Sequence, residues 1–251
     1  MRRIKPVDHE DKLSLVQHLD ELRTRLLVSL VCFGVALALC FWQSHLLLEV
    51  ASVPLPSAHR KLITFGVTEP FTTTLTIAGY AAIVISLPIL LYELYAFLLP
   101  AFSRRERRAI VPLLALIPAL FIAGVAFGYF VVLPAAASFL LNFDDTQFNV
   151  QLRASEYYGF FATTLLACGV VFQVPVGVLA VTRLGIVSVE QLQKNRRYAY
   201  LVCAIVAAAL PGVDPVSMLL ETAPLIALYE LSIVLARAFG RPAQSVAGLQ
   251  P

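Results

Sequence analysis

Apolar residues in this chain run together rather than alternating with polar ones. Leu22–Leu48, Phe71–Leu99, Ala109–Leu141 and Tyr157–Leu184 are long stretches whose few charges sit near their ends. A helix rises 1.5 Å per residue, so crossing a hydrocarbon core of about 30 Å takes roughly 20 residues. All four stretches are long enough. Tyr198–Leu210 is shorter and reaches only about 20 Å, while Val216–Ala236 is of ordinary length. Pro211-Gly212-Val213-Asp214-Pro215 separates these last two as a tight break, because Pro interrupts a helix and Gly permits the turn. The alternative, one long kinked helix, would place two prolines and an Asp in mid-span.

The pattern therefore predicts an all-α polytopic membrane protein with six transmembrane helices. The expected organisation is a cytoplasmic N-terminal segment over 1–21, a six-helix transmembrane domain over 22–238 and a cytoplasmic tail over 239–251. The short fifth span is a mismatch with the bilayer. Local thinning, snorkelling of Arg196 and Arg197, or packing against other helices would accommodate it.

Composition agrees. Hydrophobic residues make up 59% of the 251 and charged residues 14%, against about 25% charged in soluble domains. Mean hydropathy is +0.80. The first dozen residues mix both signs of charge and contain no apolar core, so no removable signal peptide is expected. The same stretch lacks the Arg/Ser-rich, acid-poor character of a transit segment, which favours a prokaryotic protein.

The distribution of basic residues fixes the expected orientation, since Lys and Arg collect on the cytoplasmic side. Sixteen of the nineteen fall on one side of the six-span frame, in the N-terminal stretch, in Arg104-Arg105-Glu106-Arg107-Arg108, around Arg183–Arg197, and at Arg237 and Arg241. Only Arg60, Lys61 and Arg153 fall on the other. Both termini are thus expected in the cytoplasm.

Catalytic signatures are absent. His9-Glu10 is followed by Leu13 where a zincin needs its second His, and there is no GxSxG, P-loop or GxGxxG. No enzyme activity, cofactor, metal or nucleic-acid partner is expected. Cys32, Cys40, Cys168 and Cys203 all lie in apolar runs and read as small buried hydrophobes.

The remaining candidates are polar groups in or beside spans, which are costly in hydrocarbon and hence functional candidates. Glu21, at the mouth of the first helix, has two readings. It either pairs with Arg25 at i,i+4 and opposes the helix dipole, or presents a carboxylate to a basic ligand. Glu106 either balances its arginine neighbours or does the same. Gln173, mid-way along the fourth span, wants an interhelical partner, and Pro175 frees the carbonyl at position 171. Asp214 suits a cap for the last helix. Glu221 and Glu230 lie deeper along it, and Glu93 can snorkel from the second span. Prolines 88, 118, 134, 175 and 224 predict kinked helices and concave surfaces. Gly124 and Gly128 permit close helix packing.

These residues resemble the TatC family. His18-Leu19-x-Glu21-Leu22-Arg23-x-Arg25-Leu26 is similar to its N-terminal motif. Tyr92-Glu93-x-Tyr95-Ala96-Phe97-x-x-Pro100-Ala101, followed by Glu106-Arg107-Arg108, is similar to its first cytoplasmic loop. Phe127-Gly128-Tyr129-Phe130-Val131-Val132-Leu133-Pro134, Phe172-Gln173-Val174-Pro175 and Pro211-x-x-Asp214-Pro215 resemble the third helix, the fourth helix and the last external turn.

The resemblance implies a receptor subunit that binds twin-arginine signal peptides of folded proteins. It also implies assembly with the single-span subunits TatA and TatB, with self-association in the complex, for export driven by the proton motive force across the prokaryotic inner membrane. It places the arginine-binding carboxylates on Glu21 and Glu106, with Phe97 lining the site. It assigns Gln173 to partner contact or structure, Asp214 to the external turn, and Pro54, Pro70 and Phe71 to the external cap. Met218 stands where some members carry Gln, so no polar contact is transferred there, and the uncharged Gln173 is not expected to titrate. The rival reading is a small-molecule secondary transporter or channel. It predicts an inverted repeat and a polar path at mid-membrane, neither of which the sequence displays.

Overall fold

The computed structural model describes residues 9–98, 116–143, 150–183, 186–210 and 214–239. The described residues are almost wholly helical. The chain opens with α1 (His9–Trp42), which bends at Gln43 into a short α2 (Ser44–Ser52). A 3₁₀ turn (Ser57–His59) leads to α3 (Glu69–Leu98). Next come α4 (Leu116–Phe127), a π turn (Gly128–Val132) and α5 (Leu133–Asn142), stacked as one span. The same holds for α6 (Ala154–Val171) and α7 (Val174–Arg183). The short α8 (Val189–Lys194), α9 (Arg196–Ala209) and α10 (Pro215–Phe239) complete the described chain.

Among the described residues, five helical stretches are long and apolar enough to cross a bilayer: Leu19–Trp42, Glu69–Leu94, Leu116–Asn142, Ala154–Arg183 and Pro215–Ala238. The expected short fifth segment is α9, whose 14 residues extend about 21 Å. It ends at Ala209 and α10 begins at Pro215, so the two are separate helices. The first span is shorter than the sequence suggested. It ends at Trp42 rather than Leu48, because Gln43 leaves helical geometry (φ −97°, ψ 27°) and turns α2 aside. Helix α1 also starts well before the apolar run, at His9.

Lipid is written into the surface. Leu26, Leu30, Leu39 and Phe130 are each at least 63% exposed, and the first span buries only 11% of its most apolar window inside the protein. Soluble monomers rarely expose apolar patches beyond a few hundred Å².

Internal packing is local and uses small residues. Ala36 and Cys40 of α1 meet Ala78 and Ala82 of α3. Gly124 and Gly128 bring the third span against α6, where a Cβ on Gly124 would lie 2.6 Å from the Cys168 carbonyl oxygen. This is the close approach expected of that glycine pair. Cys203 and Ala207 of α9 pack against Leu225, Tyr229 and Ile233 of α10. The largest cluster joins Ala51, Leu55, Ile77, Leu133, Leu141, Tyr157, Phe161 and Leu165. Beside it an apolar groove of about 400 Å³ opens among α2, α3, the third span and α6, in keeping with a concave bundle of kinked helices. Cys40, Cys168 and Cys203 are buried, Cys32 is half-buried, and all four thiols are free.

Candidate functional site

The site builds up from α1. Glu21 and Arg25 lie one turn apart, with Glu N-terminal to Arg, the favourable order for an i,i+4 pair. Arg25 Nε and Nη2 both donate to Glu21 Oε1, at 3.1 and 2.7 Å. Its third arm reaches another helix: Nη1 donates to Glu93 Oε2 of α3 at 2.6 Å. The three side chains retain 35%, 25% and 19% exposure for Glu21, Arg25 and Glu93. They therefore form a partly sheltered cluster of two carboxylates and one guanidinium. Phe97 is half-buried, one turn beyond Glu93 in the last turn of α3. The structure thus brings together the segment carrying Glu21 and the segment carrying Phe97. Glu106 lies outside the described residues.

The other expected positions are structural in their contacts. Gln173 sits at the joint between α6 and α7, where the helix is interrupted ahead of Pro175. It is buried, and its Nε2 donates to the Ile117 carbonyl of α4 at 3.2 Å. Asp214 is buried and caps α10. Ser217 N donates to its Oδ1 at 2.8 Å and Ser217 Oγ to its Oδ2 at 2.6 Å. Pro54 follows α2 in the first loop, while Pro70 and Phe71 open α3, with Phe71 edge-on to Phe41 at 6.5 Å. Glu230 accepts from Arg196 at 2.8 Å and Tyr200 at 2.6 Å, tying α10 to α9. Glu221 is 3% exposed, and neither of its carboxylate oxygens has a hydrogen-bond partner among the described residues.

One polar centre was not singled out in the sequence. Glu69, buried at the start of α3, accepts from Arg153 Nε at 2.7 Å, Ser155 Oγ at 2.7 Å and the amide of Phe65 at 2.8 Å. The hydrogen bond from Arg153 to this carboxylate holds the guanidinium above its ordinary pKa. The two loops pair alongside it: Ile63 N donates to Leu152 O and Ala154 N to Ile63 O. Glu69 thus clasps the loop before α3 to the segment that starts α6. The available signal was that Arg153 is the lone basic residue of its loop.

An all-helical polytopic membrane protein, with lipid-facing spans and carboxylates gathered at one end, is the class these features define. A family model described as TatC, Sec-independent protein translocase protein, matches residues 17–224, and the chain belongs to that family, as a component of a protein translocase. The Sec-independent protein translocase protein TatC of Desulforapulum autotrophicum is 36% identical over 239 residues, covering 94% of this chain and 88% of the relative. The chloroplastic relative of Arabidopsis thaliana is 35% identical over 222 residues, covering 88% of this chain and 65% of the relative. A crystal structure of the twin-arginine translocase receptor TatC superposes with a TM-score of 0.74 at 31% identity, covering 89% of this chain and all of that one.

Proposed function

We propose that this chain is the receptor subunit of a twin-arginine translocase, a transport role rather than a catalytic one. It binds the arginine pair of signal peptides on folded proteins at Glu21 and Glu106, with Phe97 lining the site. The observation that carries the reading is the Glu21–Arg25–Glu93 cluster, one helical turn from Phe97, which already accepts one guanidinium and stays partly exposed.

The chemistry suits the ligand. A guanidinium presents a planar fork that matches a carboxylate through two N–H donors, which an ammonium cannot do. Exposed ion pairs contribute only about 0–1 kcal/mol each. Partial burial of these carboxylates and the apolar part of the signal segment lying against the bundle supply the rest. The charge distribution supports six crossings with both termini in the cytoplasm of a prokaryotic cell, in the inner membrane. Assembly with the single-span TatA and TatB, self-association in the complex and use of the proton motive force complete the reading. Gln173, the external turn at Asp214 and the cap around Pro54, Pro70 and Phe71 lie on the partner-facing or supporting parts of the bundle.

Export assays test it. Glu21→Ala and Glu106→Ala are expected to abolish export of twin-arginine substrates while the protein stays in the membrane. Normal export by both variants overturns the assignment.

A further inference from the structure

The cluster at Glu21 holds an arginine that belongs to the protein itself. Arg25 places two nitrogens on one Glu21 oxygen and the third on Glu93, 68 residues away on another helix. Helices α1 and α3 also pack together further along, where Ala36 and Cys40 seat against Ala78 and Ala82. One guanidinium is thus shared by two carboxylates on separate helices. Its contacts to Glu21 are also those a ligand arginine would make.

We propose that Arg25 is an internal stand-in for the ligand and sets the receptor's preference for arginine over lysine. Without a signal peptide, Arg25 occupies Glu21. When a ligand arginine arrives, it takes Glu21, and Arg25 withdraws to Glu93, which keeps its charge paired. The inference rests on the reading of Glu21 as a receptor for the twin-arginine motif.

The exchange is selective for a physical reason. One guanidinium replacing another recovers the same forked hydrogen bonds and the same weakly hydrated charge. An ammonium is more strongly hydrated and makes a point contact, so it regains less than the displaced Arg25 gives up. Arg25 thus acts as a threshold that arginine passes and lysine does not. Glu93 is a positioning residue in this scheme: it acts on the ligand only through Arg25.

The scheme gives the two variants opposite signs. Arg25→Gln removes the competitor, and is expected to strengthen binding of a twin-arginine signal peptide about two- to fivefold, the size of a partly exposed ion pair. A twin-lysine peptide gains more, so discrimination narrows. Glu93→Gln removes the second acceptor and leaves Arg25 on Glu21 alone, weakening peptide binding by a similar factor.

The measurement is equilibrium binding of fluorescent twin-arginine and twin-lysine signal peptides to the full-length protein in lipid nanodiscs. It includes Glu21→Gln as reference and Arg25→Lys as a charge-keeping variant that also narrows discrimination. Weakened binding in both Arg25→Gln and Glu93→Gln would make Arg25 a strut and overturn the proposal, as would no change in either. If Arg25→Gln does not assemble, Arg25→Lys and Glu93→Gln decide the matter by the same signs. Unchanged binding in Glu21→Gln overturns the receptor reading itself, an outcome distinct from failure of the exchange alone.

Discussion

Gly124→Ala isolates the packing of the third span against α6. A Cβ built on Gly124 would lie 2.6 Å from the Cys168 carbonyl oxygen and 2.8 Å from both Cβ and Cγ of Phe172. Non-bonded carbons rest at about 3.5–4.0 Å, so the added methyl intrudes by roughly 0.7–1.2 Å. The obstacle includes backbone, which cannot rotate aside. The two helices must therefore part, and a gap of about 0.5–1 Å forfeits a quarter to a half of each dispersion contact along the seam. Overpacking of this kind costs about 1–3 kcal/mol.

Gly34→Ala supplies the control. Nothing lies within 4 Å of a Cβ there, so that variant feels only the helix-propensity gain of about 1 kcal/mol. The expected result is Gly124→Ala less stable than Gly34→Ala by roughly 1–3 kcal/mol. Thermal unfolding in detergent can be followed with a thiol-reactive dye, because Cys40, Cys168 and Cys203 are buried and free. Cys168 lies on the disturbed seam, so its labelling should rise even below the transition. Equal midpoints and equal Cys168 labelling in the two variants would refute the argument.

Two further outcomes use the same protein. Asp214→Ala removes both bonds from Ser217 at the start of α10 and is expected to cost about 1–2 kcal/mol. Asp214→Asn keeps a capping side chain and loses less, and identical unfolding of wild type and Asp214→Ala would refute the cap. Gln173→Leu removes the interhelical bond to the Ile117 carbonyl, a loss of about 0.6–1.7 kcal/mol between membrane helices. It is also expected to weaken crosslinking to TatA or TatB while sparing signal-peptide binding, and unchanged crosslinking counts against the partner role.

Much of the fold was legible because apolar runs of span length are a solvent requirement, independent of which helix touches which. The short α9 and the break before Pro215 could be read from residue count and from Pro and Gly alone. The bend at Gln43 could not, since Trp42-Gln43-Ser44 contains no breaker and the burial of Ala51 in α2 and Leu55 just after it depends on distant helices. The i,i+4 pairing of Glu21 with Arg25 follows from helical geometry. The third member, Glu93, required knowing that α1 and α3 lie side by side. Glu69 was hidden for the same reason: Arg153 and Ser155 come from 84 and 86 residues away. Asp214 was readable as a cap because capping is local. For Gln173 the need for a partner was legible, but that the partner is Ile117 was not.

The π turn at Gly128–Val132 bears on how the chain tolerates changes of length. Buried positions along the third span step from Ile117 to Phe121, Gly124 and Gly128 at ordinary helical intervals. They continue at Val132 and Leu133, with the Leu133 amide bonding to the Gly128 carbonyl five residues back, and go on to Ala136, Ala137 and Leu141. A π turn holds one residue more than an α turn would. This span therefore carries a surplus residue, absorbed at the wide turn, where Phe130 and Val131 face outward. Deleting one of those two converts the turn to ordinary helix and leaves the far half of the span facing the same neighbours. Elsewhere in the spans, the same deletion would rotate everything beyond it by about 100°.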